Sequence, residues 1–415
     1  MAKLKHVIFA DIPDKTWNDW RWQIKHRLST IEDVIKVLNP SIDIIEGIRV
    51  ALKHFRMAIT PYYASLIDLD NPYCPIKAQA IPTSHESEFQ ESDLSDPLDE
   101  ERDSPVPGLT HRYPDRVLLL VTDECSMYCR HCTRRRLVGV TDHHFSLQRL
   151  KPAFEYITNH PEVRDVVISG GDPLTMSDEK IEQIIKTLRS IRHVEIIRIG
   201  TRTPVVLPMR ITPSLVKMLR KYHPIYIATH FNHSKEITPE SRKACEIFSN
   251  SGFPLLNQSV LLRNVNDCPH VMKNLVQKLL TIRVKPYYIY QCDLSRGISH
   301  FRTSLGKGIQ IMEALRGHTS GLANPTFVVD LPGGGGKVPL QPTYILARSD
   351  DRAVLRNYEG AITVYIEPHR WDSVCGYDPS CNEDRYSIKK GPGLLMSAPD
   401  TVLEPIKRHL NPKVV

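Results

Sequence analysis

The 415-residue chain has no apolar run approaching the roughly 18 residues that cross a membrane. Its first residues, MAKLKHVIFADIPDKTWNDW, join basic residues to a short apolar patch, but acidic residues follow at once and no small-residue cleavage site is present. Export is therefore not expected, and the expectation is a cytoplasmic protein with no membrane partner. A large excess of one charge is missing too, since 54 basic residues against 47 acidic leave +7. No basic stripe with interleaved aromatics offers a groove and stacking platforms, so nucleic acid is not an expected partner. The nine cysteines are odd in number and clustered, which suits ligands in a reducing compartment better than a disulfide framework. A chain of this length holds one large α/β domain with terminal additions, or two ordinary domains.

Residues 1–70 read as a helical region. TWNDWRWQIKHRL, STIEDVIKVL and SIDIIEGIRVALKHF carry apolar residues three and four apart, with Ser or Thr at their starts. Residues 71–110, rich in Pro, Ser and acidic residues, read as an extended connection or arm with no periodic core element. From 111 to 345 short β-branched runs alternate with amphipathic ones: RVLLLVTD, VRDVVISGG, VEIIRIGTR, IYIATHF, PLLNQSVLL and KPYYIYQCD are each followed by a helical pattern. Six βα units in a row predict an α/β fold, a partial (β/α)6 barrel with its site at the carboxyl ends of the strands. Asp123, Ser169 to Asp172, Arg202, His230, Gln258 and Asp293 all fall at or just past such ends. Residues 346–415 form a C-terminal region with extra strands and two cysteines.

Directly after the first core strand the sequence reads CSMYCRHC, with Cys125, Cys129 and Cys132 spaced CxxxCxxC. A closed zinc site asks for four ligands. A cubane iron–sulfur cluster held by three thiolates instead leaves one iron open to a non-protein ligand. This spacing resembles the signature of the radical S-adenosylmethionine enzymes, which implies a [4Fe-4S] cluster whose open iron takes S-adenosylmethionine and yields a 5′-deoxyadenosyl radical. His131 stands where that family often has an aromatic, and it can shield the cluster or donate a hydrogen bond to sulfur. The strand end SGGD, Ser169, Gly170, Gly171 and Asp172, has glycines that let backbone approach a ligand; the resemblance gives it the methionine amino group of S-adenosylmethionine.

In DLPGGGGKVPL a lysine follows four glycines. The spacing is wrong for a P-loop. Lys337 can instead be aimed into a cavity to form a Schiff base with pyridoxal 5′-phosphate (PLP), or it is a surface lysine after a flexible loop. Together the cysteine motif, SGGDPL, THFNHSKEIT and PGGGGKVPL resemble the lysine 2,3-aminomutase family of clostridial type, over about residues 105–345 and with similar terminal regions. The resemblance implies that Lys337 carries PLP and that Arg112, Tyr113 and Arg116 hold its phosphate, with Tyr290 beside it. It further implies that Arg134 grips the carboxylate of free L-lysine and that Asp293 and Asp330 take its side-chain ammonium. His230 and Gln258 are assigned to S-adenosylmethionine. Read without the resemblance, Asp293 and Asp330 serve equally well as strand caps.

By the same resemblance Cys268, Cys375 and Cys381 bind zinc with an unnamed fourth ligand, and the chain forms a homo-oligomer, a dimer or tetramer, that needs a low-potential electron donor. The competing readings are a radical aminomutase for another amino acid, and a metal-bearing structural or RNA-binding protein.

Overall fold

The β-branched runs form strands because each buries alternate residues under a helix while the others face inward. A computed structural model describes residues 9–139, 142–349 and 351–367. Nine strands hydrogen-bond in sequence order: β1 (Leu109–Tyr113), β2 (Arg116–Leu120), β3 (Asp165–Ser169), β4 (Ile196–Gly200), β5 (Ile225–Thr229), β6 (Leu255–Leu261), β7 (Lys285–Gln291), β8 (Thr326–Leu331) and β9 (Gly336–Leu340). Those from β2 to β8 are parallel, and β1 and β9 add antiparallel edges. The result is a partial (β/α) barrel. Its edges go beyond the six expected units: HRY lies in the antiparallel β1, and β8 extends the parallel set.

The crossover helices explain which faces are buried. Leu147–Asn159 buries Leu150, Ala153, Phe154 and Ile157; Asp178–Ser190 buries Ile181, Ile184, Ile185 and Leu188; Pro269–Thr281 buries Met272, Leu275, Val276 and Leu279. All three place them at i, i+3, i+4 and i+7, the spacing that makes a single stripe on a 3.6-residue helix. Ser146 and Ser177 cap two of these helices by accepting from the backbone N–H of Arg149 and Lys180.

The N-terminal region is helical, with short helices at Asp14–Trp17, Trp20–Lys25, Ile31–Leu38 and Ile42–Ala51. The expectation of a merely extended connection over 71–110 needs correcting. Pro75–Ala80 is a helix with Ile76, Gln79 and Ala80 buried, and Glu86 in the following turn is buried as well. Cys74 starts that helix and is buried, so this stretch belongs to the core.

The chain divides into two units, residues 1–342 and 343–415. In the second, β10 (Ile345–Arg348), β11 (Arg352–Arg356) and β12 (Ile362–Ile366) form an antiparallel sheet. Ile345, Leu346, Ile362, Val364, Tyr365 and Ile366 are exposed on it. Among the described residues no helix is long and apolar enough to cross a membrane.

Candidate active site

Inward-facing residues of the barrel strands, with residues of the adjoining loops, line a cavity of about 550 Å³, within the range of about 300–1,000 Å³ usual for ligand sites. Arg112, Tyr113, Arg116, Arg134, Ser169, His230, Gln258, Tyr290, Asp293, Asp330 and Lys337 all line it. So do Glu100, Thr133, Arg198, Tyr287 and Tyr288, which the sequence did not single out.

Lys337 is placed by the β8–β9 hairpin, whose turn is made by the glycine run. The register pairs Asp330 with Lys337, so the two side chains share a face, and Nζ lies 3.1 Å from Asp330 Oδ1. Nζ also lies 5.4 Å from the Tyr290 ring centroid. Gly336 has φ +77°, and a Cβ there would meet the Tyr113 hydroxyl at 3.2 Å. That close approach lets the Lys337 N–H donate to Tyr113 Oη at 3.0 Å, which ties β9 to β1 at the end of the cavity that holds the arginines.

Arg116 lies 3.9 Å over the Tyr113 ring and pairs with Asp115 at 2.8 Å. Arg112 is held by Asp103 at 2.7 Å and by the Leu98 carbonyl. Asp293 accepts from Thr133 Oγ1 at 2.6 Å, and burial, the largest influence, pushes its carboxyl up to about 6, with nearby Asp330 adding to the rise. Arg134 is gripped by the buried Glu100.

His230 donates Nδ1–H to the Gln258 carbonyl at 3.1 Å, because a carbonyl only accepts. Burial and then nearby Arg202 hold its pKa down at about 4, so the ring is neutral at pH 7 and its Nε2 is an acceptor.

The three cysteines lie on one loop outside the strands. Burial, then Asp172, then the other two thiols push Cys125 well above the ordinary thiol range, which places the three within electrostatic reach of one another. Arg202 donates to Cys129 Sγ at 2.7 Å and also binds Glu236 at 2.8 Å, which in turn accepts from Tyr63 Oη of the N-terminal region at 2.7 Å. Arg130 and Arg135, on either side of Cys132, both bind the buried Glu86. These fastenings come from residues far apart in the chain, and only the strand-end position of Arg202 hinted at any of them.

The glycines of SGGD work differently from the expectation. A Cβ on Gly170 would lie 2.2 Å from the Thr122 carbonyl oxygen and one on Gly171 2.1 Å from that of Glu124. Gly171 N–H donates to Thr122 O at 2.6 Å and Asp172 N–H to Glu124 O at 2.8 Å. The close approach is thus to the chain's own backbone just before Cys125, and these N–H groups are committed. Asp172 is buried outside the main cavity, accepting from Thr201, Leu174 N, Arg202 N and Thr203 N. Its carboxylate braces the ends of β3 and β4.

The residues fit the implied groups. Burial and the neighbouring cysteines oppose ionisation of these thiols, and a cationic cluster would offset the charge of three thiolates. Neutral His131 accepts from Asn232 at 3.2 Å through Nε2, which leaves Nδ1–H, next to Cys132 in the chain, as a buried donor with no partner among the described residues. A cluster sulfur is a natural acceptor for it. For PLP, an amine, two arginines and a tyrosine hydroxyl line one cavity. Among the described residues, no three His, Cys, Asp or Glu side chains converge as a site for a single metal ion. Cys268 is exposed, and Cys375 and Cys381 lie outside the described residues.

Comparison with known proteins agrees with this chemistry. Residues 119–275 match the radical SAM superfamily and residues 312–405 match lysine-2,3-aminomutase. An L-lysine 2,3-aminomutase of Clostridium subterminale is 56% identical over 99% of this chain and 100% of its own length. One from Fusobacterium nucleatum is 59% identical over 92% of this chain and 89% of that one. A glutamate 2,3-aminomutase of Clostridioides difficile is 47% identical over 87% of this chain and 85% of its own. With likeness running the length of the chain and the cavity furnished as described, this protein belongs to the lysine 2,3-aminomutase family of radical SAM enzymes.

Proposed function

We propose that the chain interconverts L-lysine and L-β-lysine by moving the amino group between C2 and C3. The carrying observation is the charge lining one cavity: a guanidinium (Arg134), an amine (Lys337) and two carboxylates (Asp293 and Asp330). These complement the carboxylate, α-nitrogen and side-chain ammonium of lysine. When bound, the cluster with S-adenosylmethionine supplies a 5′-deoxyadenosyl radical, and PLP supplies a conjugated ring that carries the amine through its shift.

Cys125, Cys129 and Cys132 would hold the cluster, and His131 would donate to one of its sulfurs. Ser169, Gly170, Gly171 and Asp172 would shape the strand end toward S-adenosylmethionine, and His230, just past β5, and Gln258, on β6, would contact it. Arg112, Tyr113 and Arg116 would take the PLP phosphate, and Tyr290 would lie beside the cofactor. Lys337 Nζ must lose its proton to act as a nucleophile. Asp330, its ion-pair partner, is then released to receive the substrate's ammonium beside Asp293. Tyr287, Tyr288, Val117, Leu118 and Val260 line the walls and exclude water from a reactive alkyl radical.

The same carboxylates argue against glutamate, whose distal end is itself an anion. The turnover reading includes an external low-potential electron donor. A homo-oligomer, dimer or tetramer, is supported by the exposed apolar side chains of β10 to β12. Zinc at Cys268, Cys375 and Cys381 rests on the family resemblance.

The test is turnover by anaerobically prepared, reduced holoenzyme with L-lysine and with L-glutamate. Lysine is converted and glutamate is not. Asp293→Asn lowers kcat/KM for lysine by about 100-fold, the scale of removing one partner from a buried charge pair. Because Asp293 must be ionised to hold the ammonium, kcat/KM falls as pH drops through about 6, the value to which burial pushes this carboxyl, and Asp293→Asn removes that limb. Equal use of glutamate, or an unchanged acid limb in the variant, removes Asp293 from this role.

A further inference from the structure

Arg134 presents five N–H donors, and among the described residues its side-chain hydrogen bonds run along one edge to one partner. Nε lies 2.9 and 3.0 Å from the two carboxylate oxygens of Glu100, and Nη2 lies 2.7 Å from Oε1. A guanidinium held by its Nε–Nη2 edge keeps its Nη1–Nη2 end for a second planar carboxylate. Both residues line the cavity, in company with Asp293 and Lys337.

Glu100 is itself held firmly. It sits in the acidic segment that sequence reading treats as a connection. Asp93 pairs with Arg302, and Leu94 N–H donates to the Leu294 carbonyl at 2.7 Å. Asp96 pairs with Arg136 at 2.7 Å, and Asp103 with Arg112 at 2.7 Å. Between these anchors the chain turns tightly: Asp99 has φ +52°, a conformation that aspartate adopts more readily than most residues, and Glu101 N–H donates to Asp96 Oδ2 at 3.1 Å. The segment therefore delivers one buried carboxylate to one cavity arginine and is fixed on both sides of it.

We infer that Glu100 is the positioning residue for Arg134, setting the guanidinium so that its free end meets the carboxylate of the amino-acid substrate; this rests on the reading of Arg134 given above. An arginine side chain has several freely rotating bonds, and holding it before the substrate arrives removes that ordering cost from binding. Glu100 also offsets the guanidinium charge in the cavity, so the substrate is selected by two parallel N–H bonds in a set direction more than by net attraction. The opposite role, a carboxylate that competes with the substrate for Arg134, predicts the opposite kinetic effect.

The experiment measures kcat and KM for L-lysine, and competitive inhibition by 1,5-diaminopentane, which is lysine without its carboxylate. Holoenzyme is compared with Glu100→Ala, Glu100→Gln and Arg134→Ala. In Glu100→Ala, KM for lysine rises by about tenfold or more, by a larger factor than kcat falls, while inhibition by the diamine shifts less than about threefold. Glu100→Gln, which keeps one acceptor oxygen and the side-chain volume, shows a smaller rise in the same direction. An unchanged or lowered KM in Glu100→Ala overturns the inference, as does equal weakening of lysine and diamine in both Glu100 variants. Arg134→Ala separates the two levels. If it weakens lysine selectively while the Glu100 variants do not, only the positioning role fails. If it does not discriminate lysine from the diamine, the reading of Arg134 fails and this inference with it.

Discussion

Replacing Lys337 by alanine or by arginine lowers turnover by about 10⁴-fold or more, the scale on which losing a covalent catalytic group acts. The two substitutions separate chemistry from structure. Lys337 pairs with Asp330, whose side chain is only 7% exposed, so alanine both removes the amine and leaves a carboxylate without its ion-pair partner. Arginine keeps a cation opposite Asp330 across the β8–β9 register but stays protonated and cannot serve as the nucleophile. The expected pattern is loss of activity in both, with thermal stability kept closer to the parent in Lys337→Arg. Loss of the borohydride-trappable PLP adduct should accompany both. An active arginine variant would place the cofactor-bearing amine elsewhere.

Gly171→Ala is expected to cost iron as well as activity. A Cβ at this position lies 2.1 Å from the Glu124 carbonyl oxygen, and that atom is backbone, so relief requires moving the segment that leads into Cys125. Overpacking of this kind costs about 1–3 kcal/mol, and more where backbone cannot yield. Displacement of Thr122 to Glu124 shifts the first of the three thiols relative to Cys129 and Cys132. Iron per chain should therefore fall by at least about half after anaerobic reconstitution, together with a lower Tm. Gly321→Ala, where a Cβ would meet nothing within 4 Å, is the control and keeps its iron. Full iron content in Gly171→Ala would show that the loop adjusts without disturbing the thiols.

Much of this was legible in the sequence, for local reasons. The strands from β2 to β7 show as β-branched runs, and their helices carry an apolar stripe at the spacing that a 3.6-residue turn requires. Cys125, Cys129 and Cys132 stand out because cluster ligands must be close in the chain when they share one loop. What was hidden depends on partners distant in sequence. LTHRY lacks an apolar alternation, and it is a strand because β2 pairs with it across a tight turn. The acidic segment reads as solvated because its charges are visible while Arg112, Arg134, Arg136 and Arg302, which bind it, come from elsewhere. SGGD was correctly placed at a strand end, yet the reason for its glycines lies in the backbone of residues 122–124. Lys337 and Asp330 were each singled out, but their pairing follows from hairpin register, which four glycines in a row do not define. Thr133, directly after the cysteine motif, gave no signal of its hydrogen bond to Asp293.

The most direct measurement uses L-lysine labelled with ¹³C at C3 and ¹⁵N at the α-amine, incubated with reduced holoenzyme and followed by NMR. If the amine moves within the one cavity lined by Lys337 and the Asp293–Asp330 pair, the product shows a one-bond ¹³C–¹⁵N coupling at C3. A product aminated at C3 without that coupling would mean that the nitrogen leaves the substrate. No C3-aminated product, with cluster and PLP both confirmed present, would contradict lysine as the amino acid this cavity is built to hold.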